Sequence, residues 1–263
     1  MAKLTKQQRK MHDEAMDRLR GSPLSLEDRE FVYRHLQPGA TTDIGRGSAF
    51  FTPWDIAGEF QLETLNKRPK KVLDLCAGYG ILSMLNYCYD REPGAIEVTC
   101  LEINPDYVEI GQRLFPEAEW IRGDVFDAAE ILAGRHFDEF FSNPPFGNVP
   151  NVNGKRRHAA SRFEYAVAEI GMSLADTGTM IVLQGVPDWK YSGREGYCQI
   201  PNDKYAKWVA SSGLRLAPNC GIDCSFEAFE HTSVTVDIAL VERVESDEYE
   251  PEPAAMAPVG HLF

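Results

Sequence analysis

A chain of 263 residues with 43% apolar and 11% aromatic side chains can bury one substantial core. No run approaches the roughly 20 apolar residues that a membrane helix needs, and the charged start MAKLTKQQRKMHDEAMDRL carries no signal-peptide segment, so a cytoplasmic protein is expected. A net charge of -13 argues against a protein that holds nucleic acid mainly by bulk electrostatics, and six scattered cysteines without paired spacing point to reduced thiols and no metal. Cys220 and Cys224 with His231 are the one set that could be offered as zinc ligands, and they lack a second cysteine pair.

Residues 1–36 read as two short amphipathic helices separated by GSPLS, with Ser25 as the N-cap of the second. In FFTPWDIA, Thr52 can cap a helix and Pro53 can occupy its first position. From Lys71 onward short apolar runs alternate with helical patterns, the signature of an α/β fold with a parallel sheet covered on both faces. Strands are predicted at 71–75, 96–103, 119–122, 137–142 and 179–184, with helices near 81–88, 105–114, 128–132 and 161–175. A long polar and aromatic loop (185–204), a helix around 205–211 and a terminal hairpin with a strand over 233–243 follow. The acidic ESDEYEPE begins a tail expected to be disordered. The organisation is thus an N-terminal helical extension (1–44), a main domain (45–244) and the tail (245–263).

The first strand, glycine turn and helix lie in VLDLCAGYGILSML, where Gly78 and Gly80 let the backbone approach a ligand at a helix N-terminus. Glu102, 22 residues after Gly80 and next to Ile103, is placed to accept both hydroxyls of a ribose. A dinucleotide fingerprint would want a third glycine three residues past Gly80, where Ser83 stands. After the third strand, Asp124 can accept an adenine amino group while Val125 or Phe126 covers the ring. Asp124 alone reads as a helix cap, but polar groups at the ends of three successive strands point to an adenosine-containing cofactor.

The fourth strand runs into FDEFFSNPPFGNV. Pro144 and Pro145 lock the backbone, so the Pro144 carbonyl cannot join a regular ladder, while Asn143 adds a side-chain oxygen and Phe146 a flat ring. Two acceptors and a ring suit a planar base bearing an amino group. Such an amine is a weak nucleophile, and hydrogen bonds that strengthen as its nitrogen becomes tetrahedral stabilise the transition state without a strong base. An ordinary proline-rich strand exit is the alternative for an isolated NPP.

At these residues the chain resembles the class I amino-methyltransferases, in particular adenine-specific DNA methyltransferases and the modification subunits of type I restriction systems. Their tetrad N-P-P-F or N-P-P-Y is matched by Asn143, Pro144, Pro145 and Phe146. Their motif D-P-x-C-G-x-G is similar to Asp74 through Gly80, with Leu75 in place of the proline and Ala77 in place of the cysteine. Phe50, Thr52 and Pro53 fit an F-x-T-P segment that helps enclose the methionine end of the cofactor, with Phe51 at its variable position. The resemblance spans about residues 45–185. It implies a Rossmann-like class I methyltransferase fold: a seven-stranded, mostly parallel sheet ending in an antiparallel strand, with helices on both faces. It further implies S-adenosylmethionine as cofactor, S-adenosylhomocysteine as product, and an exocyclic amine as acceptor, with N6 of adenine in DNA favoured. The cofactor contacts implied are Phe50, Phe51, Thr52, Pro53, Asp74, Cys76, Ala77, Gly78, Gly80, Glu102, Ile103, Asp124, Val125, Phe126 and Asn143.

No large separate target-recognition domain is present in the sequence, which leaves room for a partner subunit. Two insertions can contact nucleic acid. One carries Lys155, Arg156, Arg157, His158 and Arg162 beside the tetrad, suited to phosphates or, as the alternative, to a solvated helix start. The other combines Trp189, Tyr191 and Tyr197 with Lys190 and Arg194, suited either to base stacking or to packing as a surface loop. RNA adenine, a protein glutamine amide, and a non-catalytic cofactor-binding subunit are the competing readings.

Overall fold

Two capping boxes open the chain. Thr5 accepts a hydrogen bond from the Gln8 N–H, and Ser25 accepts one from the Asp28 N–H; each is returned by the third-position side chain. They start helices α1 (Lys6–Leu19) and α2 (Leu26–His35). The computed structural model describes residues 5–21, 23–37, 51–64, 71–89, 95–227 and 234–244. Phe50, His231, the expected boundary at 44 and the acidic tail lie outside the described residues.

Helix α3 (Trp54–Thr64) precedes the alternating part of the chain: β1 (Lys71–Leu75), α4 (Ile81–Tyr89), β2 (Glu97–Glu102), α5 (Pro105–Leu114), β3 (Glu119–Arg122), a 3-10 turn (Val125–Asp127), α6 (Ala128–Ile131) and β4 (Phe137–Ser142). After β4 comes a small hairpin, β5 (Asn151–Val152) with β6 (Lys155–Arg156), that the residue pattern did not announce. Then follow α7 (Phe163–Leu174), β7 (Ala175–Leu183), a second small hairpin of β8 (Trp189–Lys190) and β9 (Cys198–Gln199), α8 (Asp203–Ser212), β10 (Leu214–Pro218) and β11 (Val236–Arg243).

Seven strands form one sheet in the order β10-β11-β7-β4-β1-β2-β3, with β11 antiparallel to both neighbours and the other pairings parallel. This is the Rossmann-like class I methyltransferase architecture. The fifth parallel strand begins earlier than its apolar run suggests: Ala175 through Gly178 pair with β4 from Phe137 onward, and backbone pairing carries the polar Asp176 and Thr177 into the ladder.

Both sheet faces are covered, which is why the central strands read as continuous apolar runs. Val72, Cys100, Phe141 and Ile181 meet α1 to α5 on one face. Leu73, Leu101, Phe140 and Met180 meet α6, α7 and α8 on the other. The N-terminal helices therefore share the first of these cores through Ala15, Leu19, Val32 and Tyr33.

Phe140, fully buried on β4, is held between two glycines. A Cβ at Gly171 on α7 would lie 2.5 Å from its ring, and one at Gly178 on β7 only 2.0 Å away. Gly178→Ala should therefore destabilise the protein by about 1–3 kcal/mol or more, because neither ring nor strand has space to yield. Adding Phe140→Leu should recover part of that loss in thermal unfolding; if the single variant melts like wild type, this packing account is wrong.

Candidate active site

Leaving β1, the backbone turns sharply. Cys76 (φ 58), Gly78 (φ 57) and Gly80 (φ 80) all take left-handed conformations, and only Cys76 does so at the strain of a side chain. The turn is tied to β2, because the Ala77 N–H donates to the Leu101 carbonyl at 3.1 Å. A Cβ at Gly78 would approach the Phe51 ring to 3.3 Å, so glycine keeps this wall thin.

At the end of β2 the Glu102 carboxylate is pre-set by two backbone donors, Gly78 N–H and Asn104 N–H, each at 2.9 Å. Burial raises its pKa above the ordinary value, and those N–H groups oppose the rise. Asp74, 1% exposed, accepts a hydrogen bond from the Ser83 hydroxyl at 2.8 Å. Burial lifts its pKa to about 7, against the pull of Ser83 and with help from the charge of Glu102. Because the folded value lies above the ordinary 3.8, the charged form costs stability. The contribution is complete below the unfolded pKa and is lost as pH rises through about 7. Asp74→Asn should thus melt higher than wild type at pH 8, with the difference closing towards pH 4; a pH-independent difference would refute it.

These groups open onto one cavity of about 440 Å³ at the sheet edge where β1 to β4 end. Of the residues singled out in the sequence, Phe51, Thr52, Asp74, Cys76, Ala77, Gly78, Glu102, Ile103, Asp124, Val125, Phe126, Asn143, Pro144 and Pro145 line it. Gly80, Pro53 and Phe146 do not: Gly80 immediately precedes α4, Pro53 immediately precedes α3, and Phe146 packs against the core. Tyr33, Asn104, Tyr107, Pro150 and Phe163 also line the cavity and were not foreseen. Asn104 and Tyr107 could have been suspected from their closeness to Glu102, whereas nothing in the sequence around Tyr33 marks it.

Asn143, Pro144 and Pro145 form one side of this cavity. Asn143 donates from Nδ2 to the Thr52 hydroxyl at 2.9 Å, which fixes the orientation of its amide. The segment beyond is braced by α7: Phe163 N–H donates to the Gly147 carbonyl at 2.7 Å, and fully buried Glu164 is paired with Arg162 at 2.8 Å.

Of the five expected basic contacts, the lysine and the three arginines divide into two pairs, and His158 lies 3.9 Å from Glu169. Lys155 and Arg156 are exposed on the β5–β6 hairpin, whose turn is set by Asn153 (φ 51) and Gly154 (φ 77). Arg157 instead reaches Asp124 at 3.3 Å and Asp127 at 3.0 Å and lies over the Phe126 ring, and Arg162 is held by Glu164. The aromatic insertion packs on itself. Trp189 is buried and donates from its indole to the Leu216 carbonyl at 2.7 Å, and Tyr191 stacks on Tyr197 at 4.4 Å and donates to the Gly221 carbonyl. Neither Trp189 nor Tyr191 lines the cavity, because each is spent on holding the loop to β10 and the segment after it.

Among the described residues, no group of His, Cys, Asp and Glu is placed to hold a metal ion, and no helix is long and apolar enough to cross a membrane. Residues 51–184 match the family model described as the methyltransferase small domain. No curated protein matches the chain. Among solved structures, the methyltransferase subunit of a type I restriction-modification system from Streptococcus thermophilus is 16% identical with a TM-score of 0.58, over 84% of this chain and 51% of that one. A modification subunit attributed to a type I restriction enzyme from Vibrio vulnificus YJ016 is 14% identical with a TM-score of 0.55, over 84% of this chain and 50% of that one. The chain spans about half the length of each, and the likeness is one of fold.

Proposed function

Because the chain belongs to the methyltransferase small-domain family, we propose that it transfers a methyl group from S-adenosylmethionine to an exocyclic amino nitrogen, with N6 of adenine in DNA as the target. The observation that carries this reading is that Asn143, Pro144 and Pro145 share one cavity with Asp74, Glu102 and Asp124. Among the described lining residues there are three carboxylates and no Lys, Arg or His. Such a lining disfavours phosphates and favours a cationic nucleoside.

Glu102, already oriented by two N–H groups, would accept the ribose hydroxyls. Asp124 would accept the adenine amino group beside Phe126, and Thr52 with Phe51 would close the methionine end. When bound, S-adenosylmethionine would supply an electrophilic methyl to the lone pair of the amine, with S-adenosylhomocysteine and a proton released to water as the other products. Asn143 and the Pro144 carbonyl accept the two N–H bonds of the target amine and strengthen their hold as positive charge builds on nitrogen. The exposed Lys155 and Arg156 stand beside this wall, where phosphates of a substrate strand would pass.

DNA is favoured because the two structural relatives with the same fold are subunits of restriction-modification systems, and target recognition would then come from a partner subunit. The test is to incubate the protein with radiolabelled S-adenosylmethionine and, separately, duplex DNA, denatured DNA, RNA and cell protein, then identify the product by mass. N6-methyladenine in DNA is expected. Label confined to RNA or to protein glutamine would move the substrate to that class, and no transfer to any acceptor would refute transfer by the chain on its own.

A further inference from the structure

We propose that Tyr33, on α2, is a cofactor-selecting residue: with Phe51 and Tyr107 it forms an aromatic wall that prefers a positively charged ligand end to a neutral one. The inference rests on the proposal that this cavity receives S-adenosylmethionine. It concerns a residue upstream of the family-matching span, which begins at 51.

All three rings line the cavity and are arranged around one hub, Tyr79. Phe51 stacks on Tyr79 with centroids 4.4 Å apart, Tyr107 meets it edge-on at 5.4 Å, and Tyr33 meets it edge-on at 6.1 Å. Phe51 and Tyr107 are themselves 5.1 Å apart. The Tyr79 hydroxyl is buried and has no hydrogen-bond partner among the described residues, so this side chain contributes its ring as a support for the others. In edge-on packing the rim of one ring meets the face of the other, which fixes the angles at which the three rings border the cavity.

The electrostatic setting agrees. Tyr33 lies close enough to Asp74 for the carboxylate charge to add to burial in raising its hydroxyl pKa. The same wall therefore combines ring faces with a buried acid. A cation at the sulfur position gains from the rings by cation–π attraction, and from Asp74 in the fraction of that acid that is ionised, which grows as pH rises through about 7. The thioether of S-adenosylhomocysteine has no charge at sulfur and gains far less, so the wall favours the methyl donor over the spent product. Tyr33 comes from the N-terminal helices, and its place in the core shared with α3 to α5 holds it there.

The test is calorimetric titration of the whole chain with three ligands: S-adenosylmethionine, S-adenosylhomocysteine and sinefungin, which carries an amine in place of the sulfonium. Tyr33→Leu should weaken the two cationic ligands by about tenfold and S-adenosylhomocysteine by less than about twofold. Tyr33→Phe, which keeps the ring, should restore the preference. Equal losses for all three ligands, or no loss for any, would overturn the proposal. If Tyr33→Leu does not fold, Tyr107→Leu provides the same comparison, and equal losses there overturn the proposal in the same way. Wild-type protein that binds none of the three would instead refute the cofactor reading itself, so the two failures are distinct.

Discussion

Asn143→Ala is expected to lower methyl transfer by about three orders of magnitude or more while changing cofactor affinity by less than about threefold. The asymmetry follows from where the side chain acts. In the proposed mechanism its acceptor would meet the substrate amine, and the gain from that contact would grow as the nitrogen becomes cationic, so its loss would appear in the chemical step. The bond from Asn143 to Thr52 provides a graded control. Thr52→Val keeps the acceptor but frees the amide to rotate, and a loss of about tenfold is expected, since orientation rather than the contact itself is removed. Single-turnover transfer rates and calorimetric cofactor titration make the comparison. An Asn143→Ala protein that transfers methyl groups at the wild-type rate would remove the mechanism altogether.

Glu102→Ala should have the complementary effect. Two charge-assisted hydrogen bonds to a ribose are worth roughly one to two orders of magnitude each in affinity when partly shielded from water, so binding should fall by about a hundredfold or more. The rate at saturating cofactor should change much less. Part of the loss will arise in the protein, because Gly78 N–H and Asn104 N–H lose their common acceptor and the turn after β1 relaxes. Glu102→Gln separates the two contributions: its remaining oxygen can serve one N–H group, and its affinity should lie between the other two proteins. Unchanged titration curves for Glu102→Ala would place the ribose elsewhere.

The sheet was legible where apolar runs and turn residues agree. β1, β3, β4 and α5 fall on the expected residues because each is bounded by glycine, proline or a charged turn. β7 was expected at 179 and begins at Ala175, since Asp176 and Thr177 carry no apolar signal and enter the ladder through their backbone alone. Most of the cavity lining was also legible, because its residues sit at strand ends and in the turns that follow them. What could not be read depends on packing across distant segments. Tyr33 reaches the cavity from a helix that looks like any amphipathic surface helix, and Trp189 carries an aromatic pattern that suits bases as well as a core. The pairing of Arg157 with Asp124 was hidden for the same reason, as 33 positions separate two residues that the sheet edge brings within 3.3 Å.

That pairing has a mechanical meaning. A single guanidinium stakes the hairpin-bearing segment after the tetrad to Asp124 and Asp127, on the wall that would hold the nucleoside, and lies across Phe126. In the proposed reaction the shelf for one reactant and the approach path of the other would thus be pinned together, and a disturbance at either, such as salt competing for the guanidinium, should be felt at both.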